Sequence, residues 1–147
     1  MRTTLFAAAA VALSMPAFAA GPDLVPDFDT ATGTVSVKNI GDGPASISVV
    51  TIDCKRRKPR VVGGGGGCPE IPPAFAPNYT NPMFPNVLSV NVGALAPGAT
   101  FNHALPFFGG LVFPPGAYAF TVKADAGNSV PETNEANNVK VRTKVVP

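Results

Sequence analysis

DAGNSVPETNEANN, residues 125–138, separates the two most regular strand patterns of the chain. The segment before it, AYAFTVKA (117–124), has apolar residues at every second position, namely Tyr118, Phe120, Val122 and Ala124. Side chains of a β-strand point alternately to opposite faces, so a period of two indicates a strand with one buried face. The pattern therefore predicts a strand that leads directly into the polar stretch.

The segment after the stretch, VKVRTKVV (139–146), shows the same period. One face carries Val139, Val141, Thr143 and Val145, and the other carries Lys140, Arg142 and Lys144. We expect the valine face to be buried and the cationic face to meet solvent. Two strands joined by a polar connection predict an antiparallel hairpin.

The connection itself is rich in side chains that hydrogen-bond nearby backbone groups and stabilise a loop without a core. We expect Val130 to point inward as its anchor. A calcium site is the alternative, because carboxylate and amide oxygens suit that ion, but their spacing does not match an EF-hand loop. We predict a structural hairpin without metal, formed by Asp125, Asn128, Glu132, Asn134, Glu135, Asn137 and Asn138.

Upstream, further short strand patterns repeat at regular intervals. Pro26 restricts the segment 23–28 to a sheet edge or a strand end. The segments 33–40, 88–92 and 101–105 alternate, whereas 47–54 is apolar on both faces and reads as an interior strand. About seven short strands, abundant Gly and Pro and no amphipathic helix predict an all-β, antiparallel sandwich.

The first residues read as a targeting segment. Arg2, the apolar run LFAAAAVAL and the small-residue pattern Ala17-Phe18-Ala19 predict a signal peptide over residues 1–20. Residues 21–147 then form a single domain, exported to the periplasm or the extracellular space. No later apolar run approaches the ~20 residues of a membrane-spanning helix.

Two cysteines bracket an irregular insertion at about 55–86. In an oxidising compartment Cys54 and Cys68 are expected to form a disulfide. A metal site is the weaker alternative, because two cysteines and the distant His103 supply too few ligands. Recurrent prolines between 69 and 86 exclude a long helix or a central strand there.

Charge is concentrated inside this insertion. Without Arg2 the chain has ten Lys and Arg against nine Asp and Glu, and five of the ten lie at 55–60, which leaves the remainder at −4. If strands alternate in direction, the insertion meets the loop 106–116 at one end of the sandwich and the polar hairpin lies at the other. Aromatic residues at that end either cap the core or form a binding surface with the cations. The candidate binding residues are Lys55, Arg56, Arg57, Lys58, Arg60, Phe75, Tyr79, Phe84, Phe107, Phe108 and Phe113.

Signals of catalysis are weak. The single histidine, His103, falls on the apolar side of its strand, and we expect a partly buried ring bonded to backbone. No nucleophile turn, phosphate-binding glycine loop or paired histidine motif accompanies it. The sequence predicts no enzyme and no cofactor.

Several segments resemble the bacterial cell-adhesion-related immunoglobulin-like domain, the CARDB family. They are DLV at 23–25, VSVKNIG at 35–41, LAPGA at 95–99, PGAY at 115–118, and the hairpin residues Asp125, Asn128, Val130, Glu132 and NEANN at 134–138. The resemblance extends over most of 23–145 and implies an extracytoplasmic, immunoglobulin-like, seven-stranded, non-catalytic module.

These observations predict a secreted or periplasmic binding or adhesion module. Its partner would be a protein or an anionic glycan or other envelope component, with peripheral envelope contact and no nucleic acid. A structural accessory subunit of an envelope or surface assembly is the main alternative. A secreted hydrolase or an enzyme inhibitor is a further one, and would need a cleft in which His103 meets a carboxylate.

Overall fold

The computed structural model describes residues 21–57 and 67–147. The predicted signal peptide, residues 1–20, lies outside the described residues. The elements are the strands β1 (Leu24–Asp29), β2 (Thr34–Asn39), β3 (Ser48–Arg56), β4 (Leu88–Val92), β5 (Thr100–Ala104), β6 (Gly116–Lys123) and β7 (Val139–Val146), the short helix α1 (Ala76–Tyr79) and a 3-10 turn, Phe108–Gly110.

The seven strands form two antiparallel sheets, in the orders β1-β2-β5 and β4-β3-β6-β7. This confirms the predicted all-β, immunoglobulin-like sandwich. Pro26 lies on β1, an edge strand, and β3 is an interior strand between β4 and β6, as the sequence predicts. Proline is tolerated on an edge because its missing N–H leaves no central ladder bond unmade.

The core lies between the inner faces of the sheets. Val35 and Val37 of β2 face Val50 of β3 and Tyr118 of β6, and all four side chains are fully buried. The ring centroids of Phe28 on β1 and Phe120 on β6 are 5.1 Å apart, which joins the sheets through aromatic packing.

The predicted orientation of β7 is wrong. Val139, Val141 and Val145 are 49%, 52% and 73% exposed, so the valine face meets solvent. The cationic face points to the other sheet: Arg142 forms two hydrogen bonds of 2.6 Å with the Asp27 carboxylate, and Lys144 donates to the Thr30 carbonyl at 2.8 Å. The strand is at the sheet edge, where Arg142 bridges to Asp27 of β1 with its charge paired and Lys144 reaches the turn after β1.

The two ends of the sandwich differ as expected. The insertion and the loop 106–115 lie together at one end of the sandwich, which we call the insertion end. This is the end where β1 and β3 finish and where β4 and β6 begin. The turn after β2 and the polar hairpin 125–138 lie at the opposite end. Alternating strand directions produce this separation.

Candidate functional site

A disulfide joins β3 to the insertion. Cys54 and Cys68 are bonded with their Cα atoms 6.0 Å apart, which confirms the predicted pairing. Cys54 is held in register by β6, opposite Phe120. The bond therefore anchors the start of the described insertion, at Cys68, to the central strands of the larger sheet.

The basic run begins directly after Cys54, and its residues differ in exposure. Lys55 and Arg57 are exposed, and Lys55 pairs with Asp53 at 3.2 Å. Arg56 is half-buried: its Nη2 donates to the Pro115 carbonyl at 2.6 Å. The Arg56 guanidinium also lies 5.8 Å from the centroid of the Tyr118 ring, a cation–π distance. Arg56 thus packs into the fold, and Lys58 and Arg60 lie outside the described residues.

Most of the predicted aromatic residues cap the core. Tyr79, Phe107 and Phe108 are buried, whereas Phe75 and Phe113 are half-buried. The Phe107 centroid lies 5.2 Å from that of Tyr79 and 5.4 Å from that of Phe75, so the loop after β5 packs against α1. The burial of three of the rings favours the capping interpretation for them.

Gly33 makes room for this cap. Its φ is +73°, and a Cβ atom there would lie 2.2 Å from Cγ of Phe108. Only glycine accommodates both the left-handed backbone and the close approach of the ring. A single turn residue of the smaller sheet therefore sets the position of Phe108.

Phe84 does not join the aromatic cap. A Cβ atom built on Gly127 would lie 3.9 Å from its Cζ, so the Phe84 ring lies beside the polar hairpin. The prediction that Phe84 belongs to the insertion end is wrong. The segment between α1 and β4 reaches along the sandwich, which strand directions alone did not indicate. Met83, its neighbour, is 73% exposed.

An apolar cleft of about 320 Å³ opens at the insertion end. Its base is the aromatic cluster of the core, and its sides come from the insertion and the loop after β5. The residues that line it include both cysteines of the disulfide, Ile71, Leu88, Leu111 and Phe113. Leu111 was expected at this end, whereas sequence reasoning missed Ile71, which lies in an irregular segment, and took Leu88 only as part of a strand.

His103 connects β5 to the insertion. Its Nε2 and the Tyr79 hydroxyl are 2.9 Å apart, and its ring stacks on Phe101 with centroids 6.2 Å apart. The expected hydrogen bond to backbone is therefore replaced by one to a tyrosine side chain. The arrangement attaches α1 to the smaller sheet.

Asp125 organises the polar hairpin. Its carboxylate accepts hydrogen bonds from the Ser129 N–H at 3.0 Å, the Ser129 hydroxyl at 2.8 Å and the Val130 N–H at 2.9 Å. Asp125 is 1% exposed and Val130 3% exposed, so the predicted inward anchor is confirmed. Asn128 adopts a φ of 54°, a left-handed conformation that asparagine tolerates better than most residues.

Two glutamates continue this network toward β1. Glu132 accepts hydrogen bonds from the Leu24 N–H and from the Asn138 amide, and Glu135 accepts from the same amide at 3.0 Å. The Asn137 amide donates to Asp23 at 2.7 Å. The hairpin therefore ties the start of β1 to the end of the connection. The remaining residue of the predicted motif, Asn134, accepts from the Ala136 N–H in an exposed turn.

Burial and charge perturb two of these acids in opposite directions. Burial raises the pKa of Glu132, and the nearby Glu135 and Asp125 charges act in the same direction. The hydrogen bond from Arg142 lowers the pKa of Asp27. Both shifts belong to contacts between β1 and the last part of the chain, which stabilise the fold.

The described residues contain neither a cluster of metal ligands nor a membrane-spanning helix. Among residues 21–57 and 67–147, no three His, Cys, Asp or Glu side chains are grouped as metal ligands would be. In the same part of the chain, none of the helices has the length and apolar character required to cross a bilayer.

Comparison with known proteins agrees with the resemblance seen in the sequence. Residues 80–142 match the family model CARDB. A solved structure that resembles the chain is the CARDB domain of a Pyrococcus furiosus protein in complex with di-metal ions. It is 20% identical, covers 88% of this chain and 96% of its own, and has a TM-score of 0.49. No curated protein matches the chain.

Proposed function

We propose that the chain, whose residues 80–142 match the CARDB family model, is an exported, non-catalytic binding module that recognises its partner at the insertion end. The observation that carries this proposal is the meeting of two irregular segments at that end, the insertion and the loop 106–115. Loops held at one end of a rigid sandwich are where such folds usually bind.

Charge supports a partly anionic partner. Lys55 and Arg57 are exposed at this end, and the sequence places Lys58 and Arg60 directly after them. Exposed charges are screened within about 8 Å at physiological salt, so they steer a partner more than they hold it. Neighbouring apolar side chains, such as Val112 at 83% exposure, supply contact area.

Export is the second part of the proposal. The Cys54–Cys68 disulfide is compatible with an oxidising compartment. A protein or an anionic glycan of the cell envelope fits that location better than nucleic acid does.

The proposal is tested by replacing the exposed basic residues together. A variant with Lys55, Arg57, Lys58 and Arg60 changed to Ser keeps Arg56, which packs against Tyr118. We expect its association with the native envelope fraction, measured by co-sedimentation, to fall about tenfold or more. A variant with Lys38, Lys123 and Lys140 changed to Ser is the matched control away from the insertion end.

Unchanged association of the fourfold variant would show that the basic run is ordinary solvated surface. An equal loss in the control would show a general charge effect. Either outcome contradicts recognition at the insertion end.

A further inference from the structure

The cleft at the insertion end is a binding site of its own. From its walls and charges we infer that it takes a small, uncharged, apolar molecule with an aromatic or hydrocarbon body. Its volume of about 320 Å³ falls at the lower end of the ~300–1,000 Å³ typical of ligand pockets. The inference goes beyond the proposed function, because it concerns a small ligand and not the envelope partner.

The base of the cleft is aromatic surface. Phe108 lies 5.5 Å from Phe28 and 5.6 Å from Phe113, measured between ring centroids, and all three rings line the cleft. These rings pack on one another in the core, and the cleft opens onto them. Phe28 and Phe108 are already buried, so the part of this base that a ligand would cover is the half-buried Phe113, and covering it with an apolar ligand releases water, which is favourable.

The sides of the cleft are aliphatic. Ile71 comes from the insertion, Leu88 from the start of β4 and Leu111 from the loop after β5. All three are only partly buried although they pack against the core. An apolar ligand would complete their burial, and each side comes from a different segment, so the ligand is enclosed from several directions.

The charges of the cleft select against anions. Its described lining contains two acidic residues, Asp53 and Glu70, and no Lys, Arg or His. Lys55 pairs with Asp53 at 3.2 Å, whereas Glu70 is exposed. An anionic group would meet these carboxylates, whereas two described cations nearby already have partners, because Lys55 pairs with Asp53 and Lys144 donates to the Thr30 carbonyl. An uncharged ligand is therefore favoured over an anionic one of the same shape.

The disulfide preorganises one side. Cys54 on β3 and Cys68 at the start of the described insertion both line the cleft, and their bond fixes the insertion relative to the larger sheet. A wall that is already in place costs less to order on binding. Reduction of the disulfide should therefore lower the affinity for the ligand as well as the stability of the fold.

The test uses two fluorescent probes with the same aromatic body. N-phenylnaphthylamine is uncharged, and anilinonaphthalene sulfonate carries a negative charge. We expect saturable binding of the uncharged probe to the folded protein, about tenfold tighter than binding of the sulfonate. Glu70→Gln should reduce this difference in affinity, mainly because the sulfonate probe binds more tightly once the Glu70 charge is removed. Equal binding of the two probes, or no saturable binding of the uncharged one, would overturn the inference.

Replacing each of two alanines by phenylalanine tests whether the probe binds in the cleft. Ala76 lines the cleft, whereas Ala74, two residues earlier, is exposed and does not. Ala76→Phe fills the cleft and should lower the affinity for the uncharged probe about tenfold. Ala74→Phe should leave that affinity within about twofold of the wild-type value. Circular dichroism is used to check that both variants are folded. If Ala76→Phe is not folded, Thr80→Phe replaces it, because Thr80 also lines the cleft, at the end of α1. Unchanged binding in the folded cleft variant places the probe elsewhere and rejects the site.

The probe assay and the envelope assay test the cleft and the proposed function independently, so one can be contradicted while the other holds. In the fourfold Ser variant we expect envelope association to be lost and the uncharged probe to stay bound, because the contacts inferred for the probe are the apolar and aromatic side chains of the cleft, which this variant leaves unchanged.

Discussion

At the scale of single residues, buried polar side chains fix the turns of the sandwich. The Asn39 side chain is fully buried; its amide donates to the Gly43 and Leu95 carbonyls, and its oxygen accepts from the Asp23 and Gly41 N–H groups. The alternation of β2 places Asn39 on the same inward face as Val35 and Val37. Residue type alone favours exposure for asparagine, so the sequence did not predict this burial.

Asp125 gives the corresponding prediction for the connection between β6 and β7. Asp125→Ala removes three hydrogen bonds to a buried carboxylate and leaves the Val130 N–H without its partner. We expect a loss of about 3 kcal/mol in the free energy of unfolding, measured by chemical denaturation. Asn134→Ala, in an exposed turn of the same hairpin, is the control and should cost less than about 1 kcal/mol.

The same carboxylate tests the calcium alternative. Its oxygens already accept protein donors, so the wild-type melting curve should be the same in excess calcium and in chelator. Calcium at 100 times its dissociation constant would stabilise the protein by about 2.7 kcal/mol. A calcium-dependent shift of that size that disappears in Asp125→Ala would refute the structural role.

At the scale of elements, the periodicity of β7 was predictable but its orientation was not. Alternation locates a strand and its two faces without stating which face is inward. Burial of the valines was expected from hydrophobicity, yet Arg142 pairs with Asp27 of β1 and Lys144 lies 5.4 Å from the Phe113 ring centroid. Those partners are distant in sequence, so the pattern of β7 alone contained no signal for them.

The disulfide is an element-scale constraint with a measurable effect. Replacement of Cys54 and Cys68 by Ser opens a loop with a sequence separation of 14 residues. The chain-entropy model assigns such a loop about 3 kcal/mol, so we expect the melting midpoint to fall by roughly 10 °C while far-UV circular dichroism keeps its β signature. A reducing agent should lower the wild-type midpoint similarly and leave the double variant unchanged.

Thiol counting provides the direct control for this prediction. Freshly purified, denatured wild-type protein should contain no reactive thiol. Two reactive thiols, or a midpoint insensitive to reductant, would mean that the bond does not contribute to stability in the native protein.

At the scale of the whole molecule, strand direction predicted which loops meet. The turns after β2 and β6 lie opposite the insertion because consecutive strands alternate. The cleft was beyond prediction, since its walls combine residues of β1, β3, β4 and β6 with the insertion and the loop after β5, whose packing depends on the aromatic cap. Phe84 shows the same limit, because its position beside Gly127 follows from the path of the insertion and not from any pattern.

The central claim is that partners bind at the insertion end, and site-specific photocrosslinking in intact cells tests it most directly. A photoreactive residue replaces Val112, which is 83% exposed at the insertion end, or Ile40, which is 53% exposed at the opposite end. We predict a discrete crosslinked product from position 112 and none from position 40. Crosslinking from position 40 alone, or equally from both positions, would contradict the claim.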